Sequence, residues 1–89
     1  MSEIVIRKTD DAERKKLGVE TLPIWTCDVS AFDWHYDDDE TCYILEGQVT
    51  VKTKSGSVSF GPGDLVKFPK GLSCKWDVTQ AVRKHYKFG

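Results

Sequence analysis

The first apolar positions come as a short run. Residues 3–8 (Glu-Ile-Val-Ile-Arg-Lys) predict a strand. Thr9-Asp10 follows, and Glu13 stands three residues after Asp10, the spacing of a capping box. A helix is therefore expected over Asp11–Leu17, with Gly18 placed to end it. That helix is short and charged, and it has too few apolar positions to be a core helix.

From Pro23 the pattern changes to period two. Phe32, Trp34 and Tyr36 are apolar and Asp33 and His35 between them are polar, which predicts a half-buried strand with its even positions inward. Asp37-Asp38-Asp39 reads as a turn. Thr41 to Leu45 is nearly continuous and apolar, as in a strand covered on both faces. Glu46-Gly47 marks a bend, after which Val49 and Val51 share one face of a strand over Gln48–Lys54. Ser55-Gly56 is a hairpin turn, and Val58 and Phe60 continue an inward face. Gly61-Pro62-Gly63-Asp64 and Pro69-Lys70-Gly71 are turns on either side of a strand over Leu65–Phe68. Leu72, Cys74, Trp76 and Val78 then share a face, and Val82–Phe88 forms a last strand. About eight short strands at this spacing predict an all-β protein, a small antiparallel barrel or sandwich with a short N-terminal helix. Residues 1–22 would supply the N-terminal strand and helix, and residues 23–89 the barrel.

Composition narrows the classes of function. The 89 residues make one small domain, and 13 basic against 14 acidic residues leave a net charge of −1. A near-neutral chain lacks the strong basic field of a nucleic-acid binder. No apolar run approaches the ~20 residues of a membrane span. Met1-Ser2-Glu3-Ile4 does not begin a secretory signal, so a cytoplasmic location is expected. Cys27, Cys42 and Cys74 are odd in number and widely spaced, which suits reduced thiols.

Two segments carry a resemblance. Six residues separate Glu40 from Gly47, and Gly63 is followed by five residues, Pro69, one residue and Gly71. These resemble the end of cupin motif one (H-x-H-x3–4-E-x6-G) and the start of motif two (G-x5-P-x-G-x2-H-x3-N), and the match covers roughly residues 23–89. Cys42 to Gly47, Phe68 to Gly71 and Cys74-Lys75-Trp76 look like the small single-domain cupins related to (S)-ureidoglycine aminohydrolase. The resemblance implies a jelly-roll barrel and, in enzymes of the family, a metal held by three histidines and a glutamate. Carried over, the histidine positions of motif one fall on Trp34 and Tyr36, or in the other frame on Asp33 and His35. The histidine of motif two falls on Cys74, and the final asparagine falls on Val78. With only two histidines in the chain, a degenerate site without metal is expected. If a divalent transition metal were bound, Glu40, Cys74 and His35 would be its ligands.

The expected interior is a ligand pocket lined by Trp34, Tyr36, Glu40, Cys42, Phe68, Cys74 and Trp76, with Lys84 facing inward from the last strand. A carboxylate among aromatic rings needs a partner or a proton, and Lys84 or Arg83 could supply the first. Glu40 and Cys74 are the candidate catalytic residues, as acid or base and as nucleophile. Arg83 to Lys87 reads as a basic, solvated edge strand around His85. Three functions stay open: a barrel binding a small metabolite, a metal-dependent enzyme, and a structural or regulatory homodimer without ligand. Homodimerisation suits all three.

Overall fold

The computed structural model describes residues 4–89. The predicted first strand begins at Glu3, which lies outside them, as do the first three residues of the expected signal-free N-terminus. Among the described residues there are seven strands: β1 (Val5–Lys8), β2 (Ile24–Cys27), β3 (Ser30–His35), β4 (Glu40–Thr53), β5 (Gly56–Phe60), β6 (Asp64–Phe68) and β7 (Ser73–Phe88). The helix α1 (Asp11–Leu17) and a short 3-10 turn (Val19–Thr21) join β1 to β2.

The helix forms where the spacing placed it. The Asp10 side chain accepts from the Glu13 backbone N–H at 2.8 Å, and Gly18 ends the helix in the left-handed region (φ 67°). Glu13 does not complete the box; its carboxylate pairs with Arg7 on β1 instead. Arg14 lies over the Tyr43 ring at 5.0 Å, so the helix shields the outer face of β4 with a guanidinium stem and contributes no buried residue.

The strand count is a correction. Two of the expected breaks, at Glu46-Gly47 and between Val78 and Val82, are crossed by continuous strands. β4 and β7 run antiparallel from Glu40 opposite Phe88 to Lys52 opposite Lys75, and their register shifts three times between Ile44 and Val49. These bulges move the inward phase of β4 from Glu40, Cys42 and Ile44 to Val49 and Val51. Gly47 (φ 100°) sits at this corner, where a Cβ would stand 2.4 Å from the Ala81 carbonyl oxygen.

The two long strands are therefore shared. Their Glu40/Phe88 halves carry β6 with β1 on one side and β2 on the other; their Lys52/Lys75 halves carry β5 and β3. Rings from the two groups meet between them, Phe60 of β5 against Phe68 of β6 at 5.9 Å, which closes the barrel around one core. β1 pairs with β6 of its own chain, and Lys8 reaches Asp64 at 2.8 Å, so the N-terminal strand belongs to the same sheet as the barrel. Among the described residues no helix is long and apolar enough to cross a membrane.

Candidate functional site

Between the Glu40/Phe88 end and the facing rings of β3 and Trp76 the barrel holds a cavity of about 230 Å³. Its walls are Trp25, Phe32, Trp34, Tyr36, Trp76, Tyr86 and Phe88, and its two charged groups are Glu40 and Lys84. β4 begins at Glu40 with the inward phase. The buried apolar positions of β7 are even on both sides of the exposed residues 79–81, so Lys84 points the same way as Trp76 and Val82. The two residues meet as a buried ion pair, 5% and 4% exposed, with the Lys84 ammonium 3.3 Å from each Glu40 oxygen. Lys84, and not Arg83, is the carboxylate's partner.

The ammonium is held from further sides. It lies 4.9 Å from the centre of the Trp25 ring and 4.7 Å from that of Trp76, where the negative faces of the indoles favour a cation. Its remaining near contact is the Cys42 sulfur at 3.7 Å. Burial pushes the Cys42 thiol up to about 12, against the smaller opposing pull of Lys84, so it stays protonated and inert.

Tyr36 closes the other wall. Its backbone N–H donates to the Leu72 carbonyl and its ring stacks on Phe68 at 4.8 Å. The Tyr36 hydroxyl accepts from Trp76 Nε1 at 3.1 Å. Burial first, then the charge of Glu40, raises this phenol well above its ordinary value, so it keeps its proton to donate.

The site residues expected from sequence divide into groups. Trp34, Tyr36, Glu40, Trp76 and Lys84 line the cavity together. Trp34 corrects the expectation of an inward ring: it has the right parity, but among the described residues no layer covers it, and it stands 48% exposed at the mouth. Phe68 lies beneath Tyr36, and Cys42 lies behind Lys84, both supporting the wall. Cys74 is a buried member of the core cluster on the face of Trp76; it does not line this cavity, and it borders a separate outer groove with Asp33, His35, Lys52 and Lys54. Burial raises its thiol as well. His35 faces solvent and shares a hydrogen bond of 2.7 Å with the Ser73 hydroxyl. His85 is a second correction. β7 is a central strand, paired with β2 as well as β4, and His85 is buried with Nδ1 2.9 Å from the Leu22 carbonyl oxygen.

Trp25, Phe32, Tyr86 and Phe88 were not among the expected lining residues. Phe32, Tyr86 and Phe88 carried a signal in their parity, which matches that of Trp34 and Lys84. Trp25 had no such signal. Its strand is four residues long, and it turns inward because it pairs opposite Lys84.

The family's metal chemistry does not fit these residues. Among those described, no three His, Cys, Asp or Glu side chains gather as a ligand set. The one carboxylate in the cavity already faces an ammonium, which would repel a dication. No step is derived through a metal.

A model of the EutQ-like cupin domain matches residues 14–86, and the chain belongs to that family. The expected cupin barrel is thus its fold. A DUF861-family protein from Thermotoga maritima is 52% identical, with a TM-score of 0.95 over 98% of this chain and 100% of that one. A second DUF861-family protein, from Pseudomonas syringae, is 28% identical with a TM-score of 0.67, over 74% of this chain and 29% of its own. The EutQ protein of Clostridium difficile shares the fold at 20% identity and a TM-score of 0.69, over 98% of this chain and 68% of that one. No curated protein matches the chain.

Proposed function

We propose that this cupin is a binding barrel for a small, partly apolar metabolite held in the aromatic cavity. The observation that carries the reading is the Glu40–Lys84 pair, buried yet lining an open cavity. A packed core would gain by replacing such a pair with apolar side chains, so its retention beside a cavity points to a ligand. In this reading Glu40 and Tyr36 orient the ligand, and neither Cys74 nor a metal takes part. The relation to (S)-ureidoglycine aminohydrolase enters as one of fold, since the metal-ligand positions hold Trp34, Tyr36 and Cys74. The three free thiols suit a reducing compartment, and we place the protein in the cytoplasm.

The test is a screen of small metabolites by protein-observed NMR, with Trp76→Ala and Glu40→Gln as controls. Saturable shifts confined to cavity residues are expected, and they should be lost in the controls. A complete screen without saturable shifts overturns the reading. Retention of Mn, Fe, Ni or Zn at one ion per chain after incubation and desalting would favour the metal-dependent enzyme instead. A second reading, a homodimer, is favoured by β1. This strand ends the sheet path beyond β6, and Val5 is half exposed. Light scattering at micromolar concentration decides it.

A further inference from the structure

We infer that the cavity selects an uncharged planar ligand that carries both a hydrogen-bond donor and a carbonyl acceptor, as a primary amide does. This rests on the binding reading above and names its ligand class.

The hydrogen-bonding capacity still free in the cavity decides which polar groups a ligand needs. An ammonium has three protons. Those of Lys84 are met by Glu40 Oε1, Glu40 Oε2 and the Cys42 sulfur, and its charge is further shared with two indole faces. It has no proton to spare for an anion. Glu40 differs: a carboxylate offers about four lone-pair directions, and here Lys84 uses one on each oxygen while the Cys42 thiol donates to Oε1 at 3.9 Å, which leaves Oε2 the freer oxygen. Acceptor capacity therefore remains at Glu40. The Tyr36 oxygen accepts from Trp76, and among the described residues its own proton meets no acceptor. The cavity thus asks for a ligand donor at Glu40 and a ligand acceptor at Tyr36.

Charge then restricts the ligand. Glu40 and Lys84 are the charged groups lining the cavity, and they cancel. An anion entering would meet a carboxylate whose counter-ion is already engaged, and a cation would meet the ammonium. Either would lose its hydration without a full partner, which an uncharged ligand does not have to do. Size restricts it again. A volume of about 230 Å³ is below that of most ligand pockets, and the walls are flat rings. One planar ring with a small polar group fits this description.

Three probes of one shape separate the cases: benzamide, benzoate and benzylamine, titrated by NMR and tryptophan fluorescence. The wild-type protein should bind benzamide about tenfold more tightly than either ion. Glu40→Gln leaves the ammonium unpaired and should make benzoate the best probe. Lys84→Met leaves the carboxylate unpaired and should make benzylamine the best. If either ion binds the wild type as tightly as benzamide does, the selectivity is overturned while the binding cavity stands. If none of the three gives saturable shifts, the inference falls too, and the metabolite screen decides separately whether the cavity binds anything. The wild-type ranking is decisive by itself should either variant fail to fold.

Discussion

The two ends of this barrel lie between the same pair of long strands and are built differently. At the β5 end Val49, Val51 and Val78 are fully buried, and Phe60 packs between Phe68 and Trp76 at 5.9 and 5.7 Å. That end is apolar and filled, and Trp76 is the ring it shares with the cavity wall. At the opposite end, where Glu40 pairs with Phe88 and Ile44 with Lys84, the same strands enclose a cavity and an ion pair. Filling a barrel with valine gains transfer free energy and dispersion contacts. Burying Glu40 and Lys84 costs their hydration, which the pair's attraction and the indole faces only offset. The contrast teaches where the fold holds itself together and where it gives up stability to keep a site.

The largest effect should come from the filled end. Phe60→Ala removes a buried ring in contact with two others, and it should cost about 3–5 kcal/mol in urea denaturation. A loss below about 1 kcal/mol would mean that this end is not the stabilising one.

The next effect probes the hollow end. Lys84→Met strands the Glu40 carboxylate among aromatic rings and should cost about 3 kcal/mol. Adding Glu40→Gln should then recover most of the loss, because the double variant leaves no unpaired charge. A strongly non-additive cycle is the expected result. Additive losses would mean that the two side chains do not act as a pair, and the contrast between the ends would fail with them.

The same contrast sets what could be read from the chain. Lys84 was legible because it shares parity with Val82, Tyr86 and Phe88, the apolar members of the last stretch of β7. Glu40 was legible by its distance from Gly47. The bulge at Gly47 was half legible. Inward positions are even up to Ile44 and odd from Val49, a change of phase that requires an inserted residue, yet Gly47 read as a bend that ends a strand. Trp25 and His85 were not legible. The first is aimed by pairing with a strand some sixty positions away, and the second is buried under the Leu22 carbonyl. Neither fact is contained in local alternation. Trp34 shows a further limit: parity fixes the side of a sheet, while exposure depends on whether another layer covers that side.

Alkaline pH sharpens the comparison with a smaller effect. Burial lifts the Cys42 thiol from an ordinary value of 9.0 to about 12, and lifts the Tyr36 phenol well above 10.0. Above pH 9 the unfolded chain gives up these protons while the folded chain keeps them. The unfolded state then binds fewer protons, so stability is intact below pH 9 and falls as pH rises from there towards 12. Cys74, raised by burial too, adds in the same sense. Urea midpoints should decline from pH 9 to 11, and Cys42→Ala should decline less steeply. A flat profile to pH 11 would show that the groups around the ion pair are wetter than their burial implies.

The smallest effect on stability should be at the mouth, and it isolates binding from folding. Trp34 and Phe88 are 48% and 52% exposed, so each keeps half its surface in water before any ligand arrives. Trp34→Ala loses one edge contact with Tyr36, at 6.4 Å between centroids, and should cost about 1 kcal/mol or less. Yet a planar ligand in the cavity would cover the exposed face of Trp34. The same variant should therefore weaken benzamide binding about tenfold, since truncated aromatic anchors commonly cost more than 1 kcal/mol at a binding site. Phe60→Ala and Trp34→Ala thus predict opposite profiles, a large stability loss in one and a large affinity loss in the other. If Trp34→Ala proved as destabilising as Phe60→Ala, the mouth would be part of the core and the two ends would not be distinct.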